Sequence, residues 1–469
     1  MDVNSDILQK ALGDIYIKTL SAGTSFKIKN IKTDSRSFKK NNFFWPIQGK
    51  KFDGHDFILD VLEKGCAGFV YSKSLTAEVT ELVKKLGVVA LKVSDTLLAL
   101  QAFAKFYRLQ SSAKIIAVTG SNGKTTTKDI LVNVLSEKFK TKGSFKSFNN
   151  HLGVPLTLLS IEEDTEFLVV EMGMNHSGEI TDLMEIVVPD IAIIINAGNA
   201  HMGNFKDFID LVAAKGEMIL ALQNKGVAFV NHTLIGFEPF KSYKKSNMKL
   251  FGREDDLFLS YSNIRHVDRV VKGTIKSNNF SFEFIYPGLG LHNAENVAAA
   301  AAALLFLGCD DIDINKGLKS LKIPFMRLEQ KLLSNSVLII NDSYNANPAS
   351  FAKAIETLDS ITCQGKKYLV VGDMYELGAF SRREHKKLGE ILLKSNIDYV
   401  YSLGSNSKYV TDVFTNKDQA KHFESMEHLI KSLEDGIGRD DIIMLKGSRA
   451  MMLEKVEDAF IKELDISYV

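Results

Sequence analysis

The stretch Lys114–Thr127, KIIAVTGSNGKTTT, decides the fold. Ile115–Val118 is a short continuous apolar run of the kind found in strands buried on both faces of a parallel sheet. It runs into Gly120-Ser121-Asn122-Gly123-Lys124-Thr125 and then into a helical stretch, Thr126–Glu137. Strand, glycine loop and helix N-terminus in that order form the setting of a phosphate-binding loop. The glycines let backbone N–H groups curl around phosphate oxygens, Lys124 can reach the β and γ phosphates, and the Thr125 hydroxyl can ligate Mg²⁺. The loop has two residues fewer between its glycines than the general GxxxxGK[ST] pattern, which makes it a subtype. A tight glycine turn followed by a chance Lys-Thr is the bland alternative.

The same design recurs on both sides. Phe167–Val170 precedes Glu171-Met172-Gly173, and Ile191–Ile195 precedes Asn196-Ala197-Gly198-Asn199-Ala200-His201. Ligands of open parallel sheets sit outside the carboxyl ends of the strands, so these loops are expected to share one site. After about Ile323 a second set follows, with Val337–Ile340, Tyr368–Val371, Tyr399–Leu403 and Ile442–Leu445 each running into polar or glycine residues. This reads as a further doubly wound domain. It lacks GxGxxG after its first strand, which disfavours NAD or FAD. Upstream, short apolar runs at Phe43–Ile47, Gly68–Tyr71 and Val88–Val93 mark a small mixed domain, and Leu97, Leu100, Phe103, Ala104 and Tyr107 fall at helix spacing before the decisive strand. The expected architecture is α/β with three domains: a small N-terminal α/β domain (residues 1–98), a central phosphate-loop ATPase with a parallel sheet (99–322) and a C-terminal Rossmann-like domain (323–469).

Length agrees, because 469 residues exceed what one hydrophobic core sustains. Lysine plus arginine number 58 against 57 acidic residues, so no global field gathers polyanions and no nucleic-acid partner is expected. The longest apolar run, Val297–Leu307, is too short to cross a bilayer. The N-terminus lacks the pattern of a secretory signal, so a cytoplasmic protein is expected. Cys66, Cys309 and Cys363 are far apart and form no CxxC pair, which argues against a disulfide framework or a zinc site.

Several polar residues stand out. Glu171 reads as a solvated carboxylate or, beside a phosphate loop, as a metal ligand, since Mg²⁺ binds through a few carboxylates, waters and phosphates. His201 is a metal ligand or a plain loop histidine, and the sequence leaves both open. Lys215 and Glu217, in Ala213-Ala214-Lys215-Gly216-Glu217, lie on a helix starting near Asp207 and read equally as an exposed ion-pairing face. His292-Asn293-Ala294-Glu295-Asn296 opens the alanine-rich helix, where local chemistry favours Asn293 as a cap, although two asparagines three apart could also meet a purine edge.

Taken together, TGSNGKTTT (119–127), EMGMNHSGEI (171–180), NAGNAHMGNF (196–205), AKGE (214–217) and HNAEN (292–296) resemble the Mur ligase superfamily. MRLE (326–329), NDSYNANPAS (341–350), GDMYELG (372–378) and KGSRAM (446–451) look like the branch that joins D-alanyl-D-alanine to a UDP-N-acetylmuramoyl-tripeptide; TDSR (33–36) and FDGHDF (52–57) extend the likeness, which is weakest over residues 231–284. The resemblance implies ATP and Mg²⁺ as cofactors, small-molecule substrates, a monomer, and an acyl-phosphate mechanism. It assigns Ser35 and Arg36 to the uridine nucleotide and Asn149 and Asn150 to the sugar or peptide side. Gly120, Ser121, Asn122, Gly123, Lys124, Thr125 and Thr126 go to the phosphates, with Thr125, Glu171, His201 and Lys215 toward metal. Asn293 and Asn296 go to adenine, Arg327 to the γ-phosphate, and Asp342, Tyr344 and Asn345 to the ribose side. Lys446, Ser448 and Arg449 go to the incoming dipeptide. Lys124, His201, Lys215 and Arg327 would carry the chemistry, with Lys215 carbamylated in several members of the superfamily. The rival readings are another ligase of the superfamily, including a folylpolyglutamate synthetase, and a phosphate-loop ATPase that makes no amide; KGSR and NDSYNANP argue against the first.

Overall fold

The computed structural model describes residues 2–20, 26–28, 30–49, 51–145, 147–198, 204–222, 226–243, 247–277 and 280–463. The fold is three-domain α/β. By compactness the chain divides into two units, Met1–Ile116 with Lys140–Met172 and Thr181–Asp190, and Ala117–Phe139 with Gly173–Ile180 and Ile191–Val469.

In the first unit a five-stranded sheet has the order Tyr16–Leu20, Val89–Val93, Gly68–Tyr71, Phe43–Phe44, Ile31–Lys32. Its first pair is antiparallel and the others parallel. Strand geometry sends successive side chains to opposite faces. Phe43, Val70 and Leu91 therefore join one core with Leu100 and Phe103 of the Thr96–Gln110 helix, while Phe44, Phe69 and Ala90 join another with Ile58, Val61 and Val83. Asp95 caps that helix by accepting from the Leu98 amide at 2.8 Å. Phe167–Glu171 pairs in parallel with Thr141–Gly143 in the same unit.

In the second unit, the end of the decisive strand (Lys114–Thr119) leads through the glycine loop into the Lys124–Leu135 helix. Ile191–Ile194, Val227–Asn231, Met248–Gly252 and Leu259–Val267 follow one another in parallel. From there the sheet departs from expectation: Val270–Lys276 and Ser281–Tyr286 add on antiparallel, so the central sheet is mixed. Only alternate residues of Val270–Lys276 are buried, so these strands show no continuous apolar run. The terminal strand, Ser281–Tyr286, is covered by a side chain: Asn315, from the Asp311–Ser320 helix, donates to the Glu283 carbonyl at 3.0 Å and accepts from the Ile285 amide at 3.3 Å. The helix Asn293–Phe306 buries Ala294 and every residue from Val297 to Leu304. Its alanines allow close packing on the Lys124–Leu135 helix.

The C-terminal sheet of the second unit has the order Glu329–Leu332, Leu338–Asn341, Ile442–Lys446, Lys367–Gly372, Tyr399–Leu403, Ala420–Phe423, parallel after an antiparallel first pair. Ile340, Leu369, Val371 and Met444 face one core, and Ile339, Val370, Ile443 and Leu445 the other. Two covered faces are what the continuous apolar runs require.

Candidate active site

Two glycines shape the phosphate loop. Gly123 sits at the helix N-cap with φ +84°, a left-handed conformation, and a Cβ there would fall 1.9 Å from Asn296 Oδ1. A Cβ on Gly120 would press on the Asn122 carbonyl and on Ile195, both at 3.1 Å. Neighbouring polar groups fix the rest of the loop. The Ser121 amide donates to the Asn196 carbonyl at 3.1 Å, and the Asn122 amide to Asn196 Oδ1 at 3.1 Å. Ser121 Oγ bridges to the Gly198 carbonyl and amide at 3.0 and 2.9 Å. Lys124 Nζ folds over the loop and donates to the Gly120 carbonyl at 2.6 Å and the Ser121 carbonyl at 3.3 Å. Thr125 and Thr126 are buried in the first helical turn behind it.

The start of the Asn293–Phe306 helix meets this loop. Asn293 is not the cap expected of it; His292 holds that position, with no side-chain cap bond. Asn293 Nδ2 instead donates to the Leu289 carbonyl at 2.7 Å, and its Oδ1 accepts from Asn296 Nδ2 at 2.8 Å. Both asparagines are buried, with Asn296 against Gly123. Glu295 carries no signal of its own in the sequence, where an acidic residue in a first turn signifies only a favourable helix dipole. Its carboxylate accepts from Asn196 Nδ2 at 2.6 Å and from Asn231 Nδ2 at 3.2 Å.

Lys215 is not on an exposed face. It is buried in the Phe208–Ala221 helix, and desolvation, then the Lys124 ammonium, hold its amine well below the usual lysine range. Glu217 reaches from the same helix to accept the Gly178 amide at 2.6 Å. His201 lies outside the described residues. In the first unit, Glu171 ends its strand only 1% exposed, its Oε1 accepting from Asn149 Nδ2 at 2.8 Å and its amide donating to Ser144 Oγ at 3.0 Å. Asn150 Oδ1 accepts from the Leu152 and Gly153 amides at 3.2 and 2.9 Å, a turn role. Ser35 is buried and its carbonyl accepts from Lys64 at 3.0 Å. The Arg36 guanidinium, 88% exposed, pairs with Asp34 at 2.7 Å and holds that carboxyl down to about 2.

In the C-terminal part of the second unit, Arg327 stacks on the Tyr344 ring at 4.4 Å. Met326 and Leu328 flank it with φ of +56° and +55°, sparsely populated values for such residues. The buried Lys446 Nζ donates to Asp342 Oδ2 at 2.6 Å and to the Asp342 and Asn345 carbonyls at 3.3 Å each, so its donors are engaged within the protein. Burial first, and then the Lys353 and Lys446 charges, push the His292 imidazole down to about 3. Ser448 Oγ accepts from the Tyr375 amide at 2.9 Å, and Arg449 pairs with Glu454 at 2.7 Å. Asp373, also unassigned from sequence, accepts from the Asn406 and Ser407 amides at 3.0 and 2.7 Å and so shapes the loop after Tyr399–Leu403. The second unit thus gathers the phosphate loop, Lys215, Asn293 and Asn296.

Three family models match in order: Mur ligase family, catalytic domain, over residues 27–108; Mur ligase middle domain, over 118–304; and Mur ligase, glutamate ligase domain, over 326–449. The UDP-N-acetylmuramoyl-tripeptide--D-alanyl-D-alanine ligase of Bacillus subtilis (strain 168) is 35% identical over 433 residues, covering 92% of each chain. The crystal structure of MurF from Acinetobacter baumannii superposes with a TM-score of 0.85 at 29% identity, over 98% of this chain and 99% of that one. The MurF ligase of Thermotoga maritima, solved in complex with ADP, gives 0.79 at 27% identity, over 93% and 97%. On near full-length relatedness and an intact phosphate loop, the chain belongs to the Mur ligase family, in its MurF branch.

Proposed function

We propose that the chain joins D-alanyl-D-alanine to UDP-N-acetylmuramoyl-tripeptide at the expense of ATP, releasing ADP, phosphate and UDP-N-acetylmuramoyl-pentapeptide in peptidoglycan precursor synthesis. The observation that carries this reading is the phosphate loop, with Lys124 laid across it and the HNAEN helix closing on Gly123. A carboxylate is a poor electrophile. The tripeptide's terminal carboxylate oxygen attacks the γ-phosphorus, the bond to the β-phosphate oxygen breaks, and an acyl phosphate and ADP result. The dipeptide amine attacks the acyl carbon and loses a proton, and the tetrahedral intermediate expels phosphate. The protein's task in the first step is to position the reactants and neutralise charge, a role assigned to Lys124 and Arg327.

Mg²⁺ would be held by Thr125 and Glu171, with His201 and Lys215, and would neutralise charge on the transferred phosphoryl group. A buried carboxylate such as that of Glu171 suits it. Lys215 suits conversion to a carbamate: a desolvated neutral amine attacks CO₂, forms an N–C bond and loses a proton. The product carboxylate would be attracted by the Lys124 ammonium and would give metal an oxygen donor.

In this reading residues 1–98 hold the uridine nucleotide through Ser35 and Arg36, with Asn149 and Asn150 on the sugar side. Residues 99–322 hold ATP, with Asn293 and Asn296 toward adenine. Residues 323–469 bring Asp342, Tyr344 and Asn345 to the ribose and Ser448 and Arg449 to the dipeptide; the saturated Lys446 acts by holding Asp342 and Asn345 in place. The three successive family matches support such a division. No helix among the described residues is long and apolar enough to cross a membrane, and ATP and nucleotide-activated substrates fit a cytoplasmic monomer. The test is an ATP-dependent ligation assay offering lysine- and diaminopimelate-containing UDP-tripeptides with D-alanyl-D-alanine. Pentapeptide mass and phosphate release that needs both substrates are expected; phosphate release with neither would mark a plain ATPase.

A further inference from the structure

The HNAEN helix grips the phosphate loop at two points. One is the Asn296 side chain against Gly123; the other is indirect and runs through Glu295. Glu295 Oε1 accepts from Asn196 Nδ2 at 2.6 Å, and Asn196 turns its Oδ1 to the Asn122 amide and its carbonyl to the Ser121 amide, both at 3.1 Å. Glu295 Oε2 accepts from Asn231 Nδ2 at 3.2 Å, and Asn231 Oδ1 is in turn committed to the Thr233 amide and hydroxyl at 3.0 and 2.8 Å. An ionised carboxylate only accepts, so both asparagines must point their NH₂ groups at it. That requirement fixes the Asn196 carboxamide with its oxygen toward the loop. Flipped, Asn196 would set an NH₂ against the Asn122 N–H and leave the loop amide without an acceptor.

We propose that Glu295 is a positioning residue for nucleotide binding, which orients the Asn196 carboxamide and through it the Asn122 amide of the phosphate loop. The proposal rests on the reading of that loop as the ATP site. It also says why glutamine is a poor substitute. With Asn196 Oδ1 committed to the loop and Asn231 Oδ1 to Thr233, the carboxamide introduced by Glu295→Gln could accept from only one asparagine and would face the other NH₂ to NH₂.

The experiment measures ADP binding by calorimetry, and ligation kinetics, on the full-length chain and on Glu295→Gln, Glu295→Ala, Asn196→Ala and the Glu295→Ala/Asn196→Ala double variant. Glu295→Ala should weaken ADP and raise the KM for ATP on the order of 10-fold, the usual scale for losing an outer partner that orients a ligand-holding group. The KM for D-alanyl-D-alanine should stay unchanged, and the glutamine variant should fall between alanine and wild type. Because Glu295 acts through Asn196, the double variant should bind ADP no worse than Asn196→Ala alone. Additive losses in the double variant, or wild-type ADP affinity in folded Glu295→Ala or Glu295→Gln, would overturn the proposal. Failure of the unaltered protein to bind ADP would instead strike at the ATP reading itself.

Discussion

Replacing Gly123 by alanine tests how far the phosphate loop depends on close approach. Two costs can be worked from the structure. The left-handed backbone, φ +84°, costs an L-residue roughly 1–2 kcal/mol. The new methyl would stand 1.9 Å from Asn296 Oδ1, so the carboxamide must swing away and give up its 2.8 Å bond to Asn293; leaving such buried groups unpaired costs about 1–3 kcal/mol. Together that is about 2–5 kcal/mol imposed on the segment that must hold phosphate. If nucleotide binding demands the native loop, ADP affinity falls roughly 30- to 3,000-fold. Gly87→Ala is the control: it has φ +64° but nothing within 4 Å of its Cβ, so it carries backbone strain with no collision and should leave ADP binding alone. Calorimetric titration of both variants with ADP decides the matter. A Gly123→Ala protein that binds ADP within about threefold of wild type would refute the claim that Asn296 and the loop are packed against each other in the working protein.

Lys124→Ala should remain folded by circular dichroism while losing on the order of 10²- to 10³-fold in turnover, the scale for removing one preorganised partner of developing charge. Lys215 has a lowered pKa in the fold and takes up a proton on unfolding, so stability should rise with pH from that lowered value up to about 10.4. Lys215→Met should flatten this rise in urea midpoints measured in CO₂-free buffer, and should abolish any label retained from ¹³C-bicarbonate in the intact protein. Asp342→Asn leaves the buried Lys446 ammonium without its carboxylate and should cost about 3 kcal/mol in urea unfolding; Lys446→Met, which removes charge and keeps volume, should cost less.

Strands buried on both faces were the legible part of the fold. Lys114–Thr119 and Tyr399–Leu403 stand where their apolar runs put them, because a strand covered on both faces is predominantly apolar. The antiparallel addition at Val270–Tyr286 was not legible, since half-exposed strands alternate and share their composition with surface loops. In the site, the glycines and Lys124 could be read because phosphate chemistry limits the choice of residue at each position. Glu295 and Asn196 could not, because their role depends on a partner 99 residues away in sequence. Burial was equally hidden: Lys215 and Glu217, two residues apart, read as an ion-pairing face, and only packing against the rest of the unit makes the Lys215 amine a poor base.

Asn315 has a consequence far from the chemistry. A sheet that ends in the open offers its last strand to any chain that passes, and Phe280 and Ile285, each 43% exposed, would make this end adhesive. By meeting the Glu283 carbonyl and the Ile285 amide with its own carboxamide, Asn315 imitates the missing neighbour and closes the seam. Loss of this side chain is therefore expected to show first in self-association at high concentration rather than in turnover.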